Sequence, residues 1–233
     1  MNETIRRDKK FKVPLIVAHR INTKRLAKKI KKTPINFIEI DVRKKNNILL
    51  LEHGSDIDIT GFLRPMIKPF YKLLIIKDPL KWPITLEEYL NNFGKDFHFW
   101  IDLKDHNIES DVVKILKKYD LKEPIIVSSG YHDSLKRLKN IAPYIKVFLG
   151  NIGFYPVDPI SLIKSVNADG ISIHYKYIDE ALVDTIHNYG YQVATWTVNT
   201  IKLALEVMRM GVDIIISDNP IELLKTITKQ NHK

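Results

Sequence analysis

A regular alternation of short β-rich runs with helical patterns is the feature that most constrains the fold of this chain. From residue 97 to residue 217, six apolar runs of five to seven residues are separated by stretches with helical spacing of apolar side chains. Two earlier runs bring the total to eight, and this alternation favours a parallel sheet with helical crossovers. Strands are predicted at 13–18, 37–42, 97–103, 124–128, 145–149, 169–174, 191–197 and 213–217.

Helices are predicted between these strands. The sequence Thr85-Leu86-Glu87-Glu88 is typical of a capping box, which indicates a helix that begins after Thr85 and ends near Gly94. The other helices are predicted at 22–32, 108–119, 132–141, 159–167, 178–189, 200–210 and 219–229.

Eight parallel strands are the number that closes a TIM (β/α)8 barrel, and 233 residues suit one such domain. A tight turn at 45–47 and a further short strand at 48–52 predict an extra hairpin strand after strand 2. We therefore predict an α/β single-domain barrel over 13–229. A polar N-terminal extension covers 1–12, and a short irregular insertion, rich in proline, covers approximately 55–84.

The composition restricts the partners of the chain. Its formal net charge of +10 favours anionic partners, including phosphorylated metabolites, and is compatible with peripheral contact with an anionic membrane. The lysines are spread over helices and no nucleic-acid motif accompanies them, so specific nucleic-acid binding is not expected. Without cysteine, disulfides and thiolate metal sites are excluded. The sequence shows neither a signal peptide nor a transmembrane segment, and we expect a cytoplasmic protein.

Seven acidic and basic residues fall at or just after the ends of predicted strands, where a barrel carries its active site. Two histidines among them are candidates for general acid and base, because the ordinary pKa of histidine suits both roles near neutral pH. Two cations are candidates to hold a phosphate. The set consists of His19, Arg20, Glu39, Asp41, His53, Asp102 and Lys104.

Glu39 and Asp41 point to the same face of their strand, because side chains alternate along a strand with a period of two. With Asp102 they could form a three-carboxylate site for a hard divalent cation such as Mg²⁺ or Ca²⁺. The alternative for Glu39 and Asp41 is an ion pair with Arg20, Arg43 or Lys104. The alternative for Asp102 is a surface pair with Lys104.

Two aromatic residues at strand ends are further candidates for the cleft. Trp196 either forms a wall of the substrate pocket or caps the core of the barrel. His174 ends a strand and is a weaker candidate to line the cleft. The remaining histidines are expected to be structural or exposed.

At these residues the chain resembles the glycerophosphodiester phosphodiesterase family, within the phosphodiesterase TIM-barrel superfamily that includes the phosphatidylinositol phospholipases C. The family motifs His-Arg-Gly, Asn-Thr, Glu-x-Asp-Val, His-Asp, Glu-x-Lys, Trp-Thr-Val-Asn and a closing Thr-Asp-x-Pro have counterparts here in the same order. These counterparts are His19-Arg20-Ile21, Asn22-Thr23, Glu39-Ile40-Asp41-Val42, His53-Gly54, Asp102-Leu103-Lys104, Thr195-Trp196-Thr197-Val198-Asn199 and Ser217-Asp218-Asn219-Pro220.

The resemblance implies a role for each residue of the set. Three acids would bind the metal, two histidines would transfer protons, and two cations would hold the phosphate of a small anionic phosphodiester. Three positions depart from the family pattern. Ile21 replaces a glycine, Gly54 replaces an aspartate, and Asp102 replaces a glutamate and so shortens the third ligand by one methylene.

The leading hypothesis is a metal-dependent hydrolase of glycerophosphodiesters or lysophospholipid-like substrates, giving an alcohol and a phosphomonoester such as glycerol 3-phosphate. One alternative is a lysophospholipase D-like enzyme that forms a cyclic phosphate by internal attack. Another is a non-catalytic barrel that binds an anionic lipid headgroup or phosphosugar. These motifs specify neither the headgroup, nor the metal, nor the oligomeric state.

Overall fold

The computed structural model describes residues 13–53 and 84–230, which contain nine strands and eight α-helices. The strands are β1 (Leu15–Ala18), β2 (Phe37–Lys45), β3 (Ile48–Leu51), β4 (His98–Leu103), β5 (Lys122–Ser129), β6 (Lys146–Ile152), β7 (Gly170–His174), β8 (Gln192–Trp196) and β9 (Ile214–Ser217). The helices are α1 (Lys24–Ile30), α2 (Leu86–Phe93), α3 (Glu109–Leu116), α4 (His132–Ile141), α5 (Pro159–Ser165), α6 (Glu180–Asn188), α7 (Ile201–Arg209) and α8 (Pro220–Gln230). A 3₁₀ turn, Tyr175–Tyr177, follows β7.

Eight of the strands close a parallel barrel. Strand β1 pairs with β9 along its whole length and with β2 where Ala18 lies beside Ile38, which completes the ring. Strand β3 pairs antiparallel with the far end of β2 and lies outside the ring. The predicted barrel and its extra hairpin strand are confirmed.

The β2–β3 hairpin has a two-residue turn. Asn46 and Asn47 both have positive φ, 49° and 62°, which is the pattern of a type I′ turn. This turn pairs Val42 with Leu51, and Glu52 N then donates to Asp41 O at 3.1 Å, so the chain that leaves β3 runs beside Asp41. The sequence alone left the length of this turn open, and therefore also the face taken by His53.

The interior of the barrel is apolar toward the amino ends of the strands. Trp100 and Phe148 pack there with their ring centroids 4.9 Å apart, and Phe37 belongs to the same cluster. Two residues further along the same strands, the inward positions become polar, as at Glu39 and Asp102. The polar site therefore lies on an apolar floor.

Several predicted boundaries shift by a few residues. Helix α1 is shorter than the predicted 22–32, because Thr23 caps it by accepting from Leu26 N at 3.2 Å. The capping box of α2 is confirmed, since Thr85 Oγ1 accepts from Glu88 N at 3.0 Å. Strand β6 runs past the predicted end at 149, because pairing with β7 resumes after an irregularity at Ile152.

Three predictions lie outside the described residues: the polar extension at 1–12, the Gly54 departure and the insertion up to residue 83. Among the helices of residues 13–53 and 84–230, none combines the length and the apolar character needed to cross a bilayer.

Candidate active site

The carboxyl ends of the strands surround a cavity of about 310 Å³. All the residues predicted for the site line this cavity, except Asp41, which is fully buried beside it, and the weaker candidate His174. The cavity is lined, among others, by His19, Arg20, Glu39, His53, Asp102, Lys104 and Trp196. The structure thus brings together residues that are up to 177 positions apart in the chain.

Three carboxylates form one buried cluster. Ligand oxygens of Glu39, Asp41 and Asp102 all lie within 4.8 Å of one another, and these residues are only 3%, 0% and 7% exposed. Asp41 and Asp102 are direct neighbours across the parallel pair β2–β4, so strand register brings their side chains together. Such an all-oxygen donor set fits a hard divalent cation.

Lys104 lies against two of these acids. Its Nζ is 3.0 Å from Asp41 Oδ1 and also donates to Asp102 Oδ2. Burial alone would lower the pKa of Lys104, but Asp102 and Asp41 raise that pKa well above its ordinary value, so the ammonium stays charged. The ion pair with Lys104 that the sequence left open therefore exists, although it is buried and not on the surface. Among the described residues this single ammonium faces three carboxylates, so a bound cation would neutralise the remaining negative charge.

The two acids of β2 have opposite pKa shifts. Burial, together with the charge of Asp41, raises the pKa of Glu39 well above its ordinary value. Burial would also raise the pKa of Asp41, but the Lys104 charge and the hydrogen bonds from His53 and Asn22 hold it below its usual range. Asn22 Nδ2 donates to Asp41 Oδ2 at 2.6 Å, and Asn22 Oδ1 accepts from Asp41 N at 2.8 Å.

Each candidate catalytic histidine has its Nδ1 beside a carboxylate. His19 Nδ1 lies 3.1 Å from Asp218 Oδ1, and His53 Nδ1 lies 3.3 Å from Asp41 Oδ1. This arrangement holds the ring and favours a proton on Nδ1, so Nε2 is the nitrogen suited to exchange a proton with a substrate. Burial lowers the pKa of His19 below its ordinary value, and the hydrogen bond with Asp218 opposes that shift.

Asp218 is itself positioned by Asn199. Asn199 Nδ2 donates to Asp218 Oδ2 at 2.9 Å, and Asn199 Oδ1 accepts from Asp218 N at the same distance. Asp218 follows β9, and Asn199 lies in the loop after β8. Two loops that follow neighbouring strands thus fix the orientation of the His19 ring through the contact of its Nδ1 with Asp218.

Arg20 is well placed for an anion. Its backbone has a φ of 57°, and its N–H donates to Glu39 Oε2 at 2.6 Å. The side chain lines the cavity, and its buried Nε has no hydrogen-bond partner among the described residues. A buried guanidinium N–H without a partner is costly, and a phosphate oxygen would satisfy it.

A model of the glycerophosphoryl diester phosphodiesterase family matches residues 19–222. The chain belongs to this family. A glycerophosphodiester phosphodiesterase of Caldanaerobacter subterraneus is 29% identical in an alignment that covers 92% of this chain and 98% of that protein. The family and these homologues assign the chain as a phosphoric diester hydrolase.

Solved structures share the fold of this family member. An Oleispira antarctica phosphodiesterase in complex with the product sn-glycerol-3-phosphate is 23% identical, with a TM-score of 0.75 over 93% of this chain and 97% of that one. A glycerophosphodiester phosphodiesterase from Parabacteroides distasonis is also 23% identical, with a TM-score of 0.72 over 93% and 98% of the two chains.

The two aromatic candidates take different positions in this family member. Trp196 is half-buried and lines the cavity, and its indole N–H donates to Ser172 O at 3.3 Å. His174 does not line the cavity, but it packs edge-on against Trp196 with ring centroids 5.0 Å apart. His174 therefore contacts the Trp196 wall without lining the cavity itself.

Sequence reasoning assigned no role to four residues that now contact the site: Asn22, Ser128, Asn199 and Asp218. Three of them stand within motifs that carry the family resemblance, so position in a motif was the available signal. Ser128 had no such signal. Its Oγ donates to Asp102 Oδ1 at 2.9 Å, a contact that only the pairing of β4 with β5 creates.

Proposed function

We propose that this family member hydrolyses glycerophosphodiesters to an alcohol and glycerol 3-phosphate, with a divalent metal and with His19 and His53 as the general acid and base. One observation carries the proposal. Two histidines, each with Nδ1 beside a carboxylate, meet a buried three-carboxylate cluster in a single cavity. A protein that only binds a headgroup has no need for two such histidines.

Glu39, Asp41 and Asp102 would hold the cation, with Mg²⁺ or Ca²⁺ suited to their oxygens. When bound, the metal would neutralise charge on the phosphate and acidify a coordinated water or hydroxyl group. The excess of carboxylates over Lys104 in the cluster supports this assignment.

Arg20 and Lys104 would bind the phosphate of the substrate. The guanidinium of Arg20 has a buried N–H to offer, and Lys104 contributes positive charge at the same wall of the cavity. Lys104 has a second role in the proposal, because its ammonium holds Asp41 and Asp102 in their relative positions.

One histidine would remove the proton from the attacking oxygen while the other protonates the leaving alkoxide as the P–O bond breaks. If water attacks, the products are the alcohol and glycerol 3-phosphate. If the neighbouring glycerol hydroxyl attacks, a cyclic phosphate forms first, and lysophospholipids could follow the same route. Asp218 and Asp41 would stabilise the imidazolium forms of their histidine partners.

The test is turnover of a panel of glycerophosphodiesters with and without Mg²⁺ or Ca²⁺. We expect chelation to abolish turnover and His19→Ala to lower kcat by roughly 10²–10⁴-fold, the usual contribution of a general acid or base. Asp218→Asn should lower kcat less than His19→Ala, because it leaves the imidazole in place.

His187→Ala is the matched control. His187 also lies beside an aspartate, with Nε2 2.8 Å from Asp213 Oδ2, but neither residue lines the active cavity. The kcat of His187→Ala should equal that of the wild type. Turnover that survives either His19→Ala or chelation would contradict the mechanism, and no turnover of any substrate would favour the headgroup-binding alternative. Phosphorus NMR of the products distinguishes glycerol 3-phosphate from a cyclic phosphate.

A further inference from the structure

The loop between β6 and α5, residues 153–158, exposes three large apolar side chains within four positions. Phe154, Tyr155 and Val157 are 55%, 49% and 103% exposed, whereas Pro156 between them is buried. No charged residue occurs from position 151 to position 157. Contiguous exposed apolar side chains can mark a site of contact with a protein or a membrane.

This loop begins at the active cavity. Gly150 and Asn151, at the end of β6, line the cavity, and the loop follows them at the same rim. The loops after the neighbouring strands add Tyr131, which follows β5 and is 45% exposed, and Tyr177, which follows β7 and is 40% exposed. Tyr155 Oη donates to Asp179 Oδ1 at 3.2 Å and so connects the loop to the start of α6.

We propose that this rim docks on the surface of a lipid bilayer. The rim comprises Tyr131, Phe154, Tyr155, Val157 and Tyr177, and we name it the aromatic rim. Loops after three adjacent parallel strands project from one end of the barrel, so their tips can touch a plane together. Tyrosine and phenylalanine suit the boundary between headgroups and acyl chains, because their rings are apolar and the tyrosine hydroxyl stays hydrated.

The charges near the aromatic rim indicate whether docking would depend on apolar insertion or on electrostatic attraction. Lys176 lies next to Tyr177, but Asp158 and Asp179 lie beside the loop, so the local surface is not basic. Docking would therefore depend mainly on apolar insertion, while the net charge of +10 adds a general attraction to anionic lipid. Binding through the aromatic rim should persist at high salt, unlike binding through net charge alone.

Docking would also bear on substrate class. Because the aromatic rim adjoins the cavity wall, a docked barrel would face the headgroup layer with its active site. Resting on the proposed function, this favours phosphodiesters that keep one acyl chain and stay in the bilayer, such as lysophospholipids. Docking itself requires no catalysis, so the two proposals can fail separately.

The experiment is co-sedimentation with vesicles of phosphatidylcholine, with and without phosphatidylglycerol, at low and high salt. The double variant Phe154→Ser, Val157→Ser should bind roughly tenfold or more weakly, as expected from the loss of two apolar side chains. Tyr144→Ser is the matched control, because Tyr144 is 52% exposed but lies between α4 and β6, at the opposite end of the barrel. That control should bind as the wild type does.

Two further variants separate docking from catalysis. His19→Ala should bind vesicles normally, and the double variant should hydrolyse a water-soluble glycerophosphodiester at the wild-type rate. Failure of the wild type to bind vesicles, or equal binding by the double variant, would overturn the proposal. Loss of vesicle binding at high salt would also overturn it. A dimer that forms in the wild type but not in the double variant, as measured by ultracentrifugation, would do the same, because the partner of the aromatic rim would then be a second copy of this chain.

Discussion

At the scale of single residues, Asp102, the proposed third metal ligand, is held by a short series of buried hydrogen bonds. Trp100 Nε1 donates to Ser128 Oγ at 2.8 Å, and Ser128 Oγ donates to Asp102 Oδ1 at 2.9 Å. All three side chains are buried on the floor of the cavity. Ser128 therefore fixes the orientation of a carboxylate that reaches less far than the glutamate of the family pattern.

Ser128→Ala should weaken divalent-metal affinity by about 10–100-fold, because the hydrogen bond from Ser128 orients the carboxylate of Asp102 toward the proposed metal. It should also lower the free energy of unfolding by about 1–3 kcal/mol, since the buried Trp100 N–H loses its acceptor. Titration calorimetry with Mg²⁺ or Ca²⁺ and urea unfolding measure the two effects.

Ser129→Ala provides the matched comparison on the same strand. Ser129 is equally buried, but its Oγ donates to Leu103 O at 2.8 Å and not to a candidate ligand. This variant should lose stability while keeping its metal affinity. Equal metal affinity in Ser128→Ala and the wild type would show that Ser128 does not support the site.

At the scale of elements, the β2–β3 hairpin determines where His53 lies. Its two-residue turn pairs Val42 with Leu51, and two residues later His53 Nδ1 comes within 3.3 Å of Asp41 Oδ1. Asn46 and Asn47 tolerate the positive φ values that the turn requires better than most residues do. The position of His53, a proposed acid or base, thus depends on exposed turn residues.

Asn46→Val should destabilise the protein by about 1–2 kcal/mol, the usual range for a strained left-handed position. Asn46→Gly should be tolerated, because glycine adopts positive φ without steric cost. Asn46 is exposed, so side-chain packing does not obscure the comparison. Urea unfolding of both variants measures the difference, and equal stability of the two would contradict the role given to backbone conformation.

Most elements could be predicted from local sequence. Helix α2 begins and ends as its capping box and Gly94 indicate, because these signals act over a few neighbouring residues. The start of α1 was predicted too early, since the side chain of Asn22 bonds to Asp41, a residue 19 positions away. Contacts at that distance leave no trace in helical periodicity.

The candidate site was predicted as a set of residues but not as a network. Strand ends and family motifs pointed to seven histidines, acids and cations, six of which line the cavity while Asp41 is buried beside it. The contact between His19 and Asp218 joins residues 199 positions apart, and the contact between Ser128 and Asp102 depends on strand register. Neither has a local pattern that would reveal it.

At the scale of the whole molecule, the barrel encloses more acid than base at its functional end. Within the described part of the chain, three buried carboxylates share one close ammonium, that of Lys104. Burial and the charge of Asp41 raise the pKa of Glu39. A cation that binds only the folded barrel would relieve this repulsion and stabilise the fold.

Saturating Mg²⁺ or Ca²⁺ should therefore raise the melting temperature. At a metal concentration 100 times Kd the gain would be about 2.7 kcal/mol. Calorimetric melting with and without chelator measures this gain. In Glu39→Gln, which lacks one ligand charge, the metal-dependent rise should largely disappear. A rise of the same size in that variant would place the cation elsewhere.

The register between β2 and β4 sets Asp41 beside Asp102 and Glu39 beside Trp100. Ile38, Ile40 and Val42 occupy the alternate positions of β2 and face the helices. Removing a single residue at the start of β2 would turn those apolar side chains inward and both acids outward. A one-residue deletion at the start of this strand would therefore remove both Glu39 and Asp41 from the candidate site in a single step.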